Sequence, residues 1–370
     1  MPPFQRFTPL VQSLPATVPF VGPETQERAA GQPFRARIGA NESGFGPAPS
    51  VKAAMRSGAE LVWRYGDPEN HDLRQALAGH YGVTARNIVI GEGIDGLLGL
   101  VVRQIVQPGD PVVTSLGAYP TFNFHVAGYG GRLVTVPYRD DREDPDALLN
   151  AVLSEKTPLV FLANPDNPMG SWHDGDAIEA FARALPETTM LVLDEAYVET
   201  APPDTALRIE ALIDRPNVLR MRTFSKAYGL AGLRCGYALG HPDTIASFDK
   251  VRNHFGVNRM AQTAALAALG DQDYLTGVCA RIHGARERIA AIGRRNGLAP
   301  LPSAANFVAL DCGRDAAYAG ALLAALGERG VFVRMPGVAP LNRCIRISCA
   351  PDAELDILEQ ELPQALAALG

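Results

Sequence analysis

The sequence predicts an α/β protein: a large, mostly parallel seven-stranded sheet flanked by helices, followed by a smaller α+β unit. Three observations carry this. Short apolar runs alternate with helical patterns up to about residue 240, as in sheets buried on both faces. Beyond that point the pattern changes to longer helices and separate strand-like pieces. The chain of 370 residues also exceeds the usual size of one core, with 47% apolar residues to fill two.

Residues 1–35 read as an extended N-terminal arm, because Pro2, Pro3, Pro9, Pro15, Pro19, Pro23 and Pro33 interrupt any periodicity. The large unit is placed at 36–245. Its strands are expected at Asn87–Ile90, Pro111–Thr114, Arg132–Val136, Pro158–Leu162, Met190–Leu193, Asn217–Met221 and Gly236–Leu239. The small unit is placed at 246–370. One of its helices carries Val278, Ile282, Ala285, Ile289 and Ile292 on a single face. Strand-like pieces follow at Asn306–Leu310, Val331–Val333 and Ile345–Ile347, with a closing helix from about Ala353.

A net charge of −6, from 40 acidic and 34 basic residues without long like-charged blocks, argues against nucleic acid and anionic membrane as partners. The five cysteines are scattered and form no C-x-x-C pair, which suits reduced thiols in a cytoplasm. No apolar run reaches the ~18 residues of a membrane span, and the N-terminus lacks the pattern of a secretory signal. The seven histidines show no metal-binding spacing.

Gly91-Glu-Gly-Ile-Asp-Gly96 follows an apolar strand and opens a helix, matching G-x-G-x-x-G. A dinucleotide site would need an acid closing the second strand, but Asp110 precedes that strand. What remains is a glycine turn whose backbone N–H groups, at Gly93, Ile94 and Asp95, face an anion. The Asp95 side chain either caps the helix or lies near that anion.

The segment Thr223-Phe-Ser-Lys-Ala-Tyr-Gly-Leu-Ala-Gly-Leu-Arg234 sets Lys226 among hydroxyls, glycines and an arginine. Thr223 and Ser225 offer small donors and Arg234 a fixed charge for a phosphate, while Lys226 can bond to a carbonyl. That combination suits pyridoxal phosphate. Asp194 ends an apolar run, where it can keep a pyridine nitrogen protonated, or else cap a helix or pair with a lysine. Tyr197, three residues on, offers a phenol to the ring oxygen. Asn164-Pro-Asp-Asn-Pro-Met-Gly170 forms a proline-braced turn presenting Asn167 as a second donor to it. Phe122 either stacks on a flat ring or fills core. Arg346 lies inside Ile345-Arg-Ile347, close to Arg334, so it either makes a structural salt bridge or binds a substrate anion.

In this order the Asn41 turn, the Tyr65 segment, the Gly91 turn, the Asn167 turn, Asp194-x-x-Tyr197, the lysine box and Arg346 resemble class I and II aminotransferases of pyridoxal-phosphate fold type I. The histidinol-phosphate aminotransferases are the nearest subfamily, and the similarity runs from about residue 34 to 350. The resemblance implies Lys226 as the cofactor-bonded lysine and proton carrier, with Asp194 on the ring nitrogen. It puts Asn167 and Tyr197 on the ring oxygen, Thr223, Ser225 and Arg234 on the phosphate, and Phe122 over the ring. Tyr65 would reach the neighbouring subunit's cofactor in a homodimer, and Arg346, Arg334 and Asn41 would hold substrate. The implied activity is ping-pong transamination between an amine donor, histidinol phosphate, and the oxo acid 2-oxoglutarate. An aromatic or other amino-acid aminotransferase, an amino-acid-phosphate decarboxylase and a non-catalytic cofactor-binding module are the alternatives. Ile94, Ser43-Gly44, Gly66, Asp166 and Met169 depart from the family pattern around the substrate mouth.

Overall fold

The computed structural model describes residues 6–16 and 20–370. Pro2, Pro3 and Pro19 of the expected arm lie outside the described residues. The rest of that arm is not simply extended. Helices Pro9–Ser13 and Pro23–Ala30 each begin on a proline, whose fixed φ and missing N–H suit the first helical position. The prolines there start helices, whereas the sequence reading took them only as breakers.

A two-residue strand, β1 (Ala36–Arg37), leads into the chain of the large unit. Seven strands then build one sheet: β2 (Ile88–Gly91), β3 (Pro111–Ser115), β4 (Arg132–Val136), β5 (Leu159–Ala163), β6 (Met190–Asp194), β7 (Val218–Thr223) and β8 (Gly236–Gly240). Their order is β2-β8-β7-β6-β5-β3-β4. Strands β4, β3, β5, β6 and β7 run parallel, and β8 is antiparallel to both of its neighbours. Alternate side chains feed two cores. Val112, Leu159, Phe161 and Val192 pack with helix Gly93–Ile105 on one face. Val113, Val160, Leu162 and Leu191 pack with helices Pro145–Glu155 and Gly175–Ala184 on the other. The period of two explains why each strand reads as a continuous apolar run.

The sheet also buries charge. Arg220 and Arg222 on β7 both donate to Glu195, at 2.9 Å for each nearest pair, with all three side chains at most 8% exposed. Two guanidinium groups around one carboxylate satisfy a cluster that would be costly if broken.

Beyond the sheet lie β9 (Ala299–Pro300), β10 (Phe307–Asp311), β11 (Val331–Phe332) and β12 (Cys344–Ser348). Strands β12, β10 and β9 form an antiparallel sheet, and β11 pairs with β1. The predicted helical face appears in Gln272–Arg295, where Val278, Ile282, Ala285, Ile289 and Ile292 are buried. The expected boundaries need two changes. Ala36 and Ile38 belong to the C-terminal core, so the small unit recruits chain from before the large one. Helix Arg259–Leu269 packs with Leu73 and Leu77 beside β2 and β8, so the large unit continues past residue 245. Among the described residues, no helix is long and apolar enough to cross a membrane.

Candidate active site

Parallel β5, β6 and β7 lie side by side, so the segments leaving their C-terminal ends meet at one edge of the sheet. Strand β5 delivers the Asn167 turn, β6 delivers Asp194 and Tyr197, and β7 delivers Thr223, Ser225 and Lys226. Strand β12 brings Arg346 and Ser348 to the same place from the small unit.

Lys226 Nζ donates to the backbone oxygen of Asn41 at 3.2 Å and lies 5.5 Å from the centre of the Tyr197 ring. The Tyr197 hydroxyl accepts from Asn41 Nδ2 at 3.3 Å and from Asn167 Nδ2 at 3.2 Å. Asp194 is 6% exposed and accepts one hydrogen bond, from the Ala196 N–H at 2.9 Å. It has no ion-pair partner among the described residues. Burial therefore pushes its carboxyl up from 3.8 to about 7, although the Lys226 charge acts in the other direction.

At the glycine turn, Gly93 has φ 74°, and a Cβ there would stand 2.5 Å from Arg234 Nη2, so only glycine leaves the guanidinium its place. Arg234 reaches Ser225 Oγ at 3.4 Å and Asp95 Oδ2 at 3.4 Å. Ser225 N–H donates to Thr223 Oγ1 at 3.0 Å. Asp95 does not cap its helix: the N-cap is Glu92, and Asp95 instead accepts from the Tyr119 hydroxyl at 2.8 Å. Ile94 turns its side chain into the core and can offer the site only its backbone.

Arg346 forms no salt bridge among the described residues, so the structural ion pair weighed for it is not made. One guanidinium nitrogen donates to Asn167 Oδ1, the plane lies 5.1 Å from the Phe307 ring, and Nε is buried without a partner. Arg334 pairs with Arg346 through the backbone. Its own guanidinium, however, lies 4.2 Å from the Phe20 ring and donates to Val21 O at 2.8 Å. The N-terminal segment thus holds one N–H and one face of Arg334, which like Arg346 forms no salt bridge among the described residues.

One expected residue does not join the cluster. Phe122 is fully buried and stacked on Phe161 at 4.6 Å, on the inward face of its helix, so it cannot cover a ligand at the sheet edge. Tyr119, at the junction between β3 and that helix, lines the site instead. Its position just past a strand's C-terminal end was the available signal. Tyr65, expected to serve a neighbouring subunit's cofactor rather than this chain's, is 76% exposed and stacks on Phe255 at 4.6 Å. The sequence reading also missed Ser348 and Asn306, which bracket Asn41, and Tyr138, which donates to buried Asp166 at 2.8 Å.

The donor set fits pyridoxal phosphate. A buried carboxylate without a cation awaits a protonated ring nitrogen, and a glycine cradle with an arginine and two hydroxyls awaits a phosphate. The Lys226 amine lies in the same cluster, against the Asn41 carbonyl and the Tyr197 ring.

Comparison with known proteins agrees. Residues 37–362 match the family of class I and II aminotransferases. The chain is 37% identical to the histidinol-phosphate aminotransferase of Anaeromyxobacter sp. (strain Fw109-5), over 98% of this chain and 97% of that one. It is 36% identical to histidinol-phosphate aminotransferase 1 of Mesorhizobium japonicum, over 90% of each. The crystal structure of histidinol-phosphate aminotransferase from Sinorhizobium meliloti in complex with pyridoxal-5'-phosphate superposes with a TM-score of 0.97, at 64% identity and 99% coverage of both chains. The architecture is fold type I of the pyridoxal-phosphate enzymes, and the chain belongs to the class I and II aminotransferases.

Proposed function

We propose that the protein is a pyridoxal-phosphate-dependent aminotransferase that takes its amino group from histidinol phosphate and passes it to 2-oxoglutarate. The observation that carries this is the convergence of Lys226, Asp194 and Tyr197 with Arg346, whose guanidinium has a buried Nε and no carboxylate partner among the described residues. The names of its relatives support the choice of donor.

Thr223, Ser225, Arg234 and the backbone N–H groups at Gly93, Ile94 and Asp95 would hold the cofactor's phosphate. Asp194 would hold its ring nitrogen, Tyr197 with Asn167 its ring oxygen, and Tyr119 takes the covering place first assigned to Phe122. When bound, the cofactor supplies an electron-withdrawing ring that stabilises negative charge on the donor's α-carbon. Asp194, ionised opposite a protonated ring nitrogen, maintains that demand. The Lys226 amine takes the proton from the donor's α-carbon and returns one on the other side of the exchange. Arg346 pairs with the phosphate of the donor, and in the second half-reaction with a carboxylate of the oxo acid.

The working unit is proposed as a homodimer in the cytoplasm. Val62, Trp63, Tyr65 and Phe255 are exposed, and Tyr65 and Phe255 stack on each other, apolar surface of the kind a second copy covers. The test is to mix cofactor-loaded protein with histidinol phosphate, histidinol and phenylalanine in turn and rank the rates at which the bound cofactor's colour is lost. Histidinol phosphate should be fastest, and indifference to it would refute this donor.

A further inference from the structure

Two amide side chains meet at the Tyr197 hydroxyl, and the chemistry of their other partners fixes which way each faces. Asn167 Oδ1 accepts from Arg346, and a guanidinium can only donate, so the Asn167 NH2 must face Tyr197. Asn41 is fixed by Ser348. The Ser348 hydroxyl, 3% exposed, accepts from the Asn41 backbone N–H at 2.9 Å, and among the described residues Asn41 Oδ1, 3.1 Å away, is the acceptor for its proton; with the amide reversed that buried proton would have none. That leaves the Asn41 NH2 for Tyr197. Asn41 is 2% exposed, with φ 56°, and Asn306 Nδ2 holds its backbone oxygen at 3.1 Å, so its backbone is held in place and the facing of its amide is left to Ser348.

With both acceptor positions of its oxygen filled by amide N–H groups, the Tyr197 hydroxyl has one direction left for its own proton, toward a third group. Arg346 and Ser348, the two residues responsible, are two apart on β12 of the small unit. We propose that Ser348 and Asn41 are positioning residues that compel Tyr197 to act as a hydrogen-bond donor to the cofactor's ring oxygen. They do so without touching the cofactor. The same Asn41 also supplies the carbonyl that receives the Lys226 amine, so β12 sets the surroundings of both groups.

The inference rests on the proposed role of Tyr197, and its consequence is spectroscopic. Proton loss from the Lys226 nitrogen in the loaded enzyme leaves negative charge on the ring oxygen, which a donated Tyr197 hydrogen bond stabilises. If the Ser348 hydroxyl is removed, the Asn41 amide can turn over and present its oxygen to Tyr197, which then donates to Asn41 instead. The pH midpoint of the bound cofactor's colour change must then rise.

The experiment compares wild type with Ser348→Ala, Asn41→Asp, Ser348→Thr and Tyr197→Phe. It measures the absorbance midpoint against pH, pyridoxal phosphate affinity and circular dichroism. The acid constant should fall about 3- to 10-fold in Ser348→Ala, the scale of one hydrogen bond, and by at least as much in Asn41→Asp. Ser348→Thr, which keeps the hydroxyl, should restore the wild-type midpoint. Because the carboxylate of Asn41→Asp itself favours the protonated nitrogen, Asn41→Gly, compatible with φ 56° and adding no charge, decides should Ser348→Ala fail to fold, and an unmoved midpoint there overturns the positioning role. If Tyr197→Phe moves the midpoint while Ser348→Ala and Asn41→Asp leave it in place, the positioning role is wrong. If Tyr197→Phe leaves it in place too, the assignment of Tyr197 falls as well.

Discussion

Replacing Asp194 with asparagine should stabilise the cofactor-free protein at neutral pH while weakening its hold on the cofactor. In the folded chain the carboxyl is 6% exposed, with one backbone donor and no ion-pair partner among the described residues. Burial raises it from 3.8 to about 7. Because the folded value lies above the unfolded one, the native state binds the extra proton between those limits, and stability falls as pH rises through the window. The full penalty, present above about pH 7, is on the order of 4 kcal/mol at 1.36 kcal/mol per unit, and it vanishes below about pH 4. Asp166 is raised to about 7 by burial as well, but it is common to both proteins and cancels in the comparison. The assay is urea denaturation of cofactor-stripped wild type and Asp194→Asn at about pH 4 and about pH 8. The variant should gain up to about 4 kcal/mol relative to wild type at the higher pH and nothing at the lower. Pyridoxal phosphate should reverse the ranking, since only the carboxylate can pair with a protonated ring nitrogen. A variant whose advantage does not depend on pH would refute the argument that Asp194 is a buried carboxylate awaiting a cation.

Arg346→Ala should raise KM for histidinol phosphate about 10- to 100-fold, the scale of charge-assisted hydrogen bonds, and KM for histidinol, which lacks the phosphate, by much less; equal losses for both would deny it the role of anion grip. Phe122→Leu should cost about 1–2 kcal/mol of stability and leave cofactor affinity unchanged, because its ring packs on Phe161 in the core. Tyr119→Ala should weaken cofactor binding about tenfold, as measured by titration. Gly93→Ala should lower cofactor affinity and cost about 1–2 kcal/mol, because it combines φ 74° with a Cβ 2.5 Å from Arg234, and melting with and without cofactor separates the two effects.

The sheet and the Lys226, Asp194 and Tyr197 cluster were readable because each depends on local pattern. Runs such as Leu159–Ala163 are buried on both faces, and in a parallel sheet the residues after each strand gather at one edge. What escaped depends on contacts distant in sequence or on helical phase. Nothing near Ala36 announces that it pairs with Val331. Ser348 and Asn306 look like ordinary polar residues beside strands until Asn41 arrives between them. Phe122 and Tyr119 are three residues apart around the start of one helix. The turn there decided which ring faced the core, and the sequence reading chose the wrong one. The contact of Arg334 with Phe20 and Val21 crosses more than three hundred residues and leaves no local trace. The prolines of the N-terminal segment had the opposite difficulty, since the same residue type breaks a helix in its middle and begins one at its first position.

The central claim is that Lys226 carries the proton between donor carbon and cofactor, and single-turnover kinetics of Lys226→Ala tests it most directly. Cofactor-loaded wild type and variant are each mixed with histidinol phosphate, and amino-group transfer is followed by absorbance and by release of the oxo product. Asp194, Arg234 and the Gly93 turn remain in the variant, so it should still bind pyridoxal phosphate and histidinol phosphate. Transfer should nevertheless slow by about four orders of magnitude or more, beyond the upper range for loss of a single acid–base group because the covalent anchor is lost too. Transfer within about tenfold of wild type would contradict the account, since the proton would then be moving by another route.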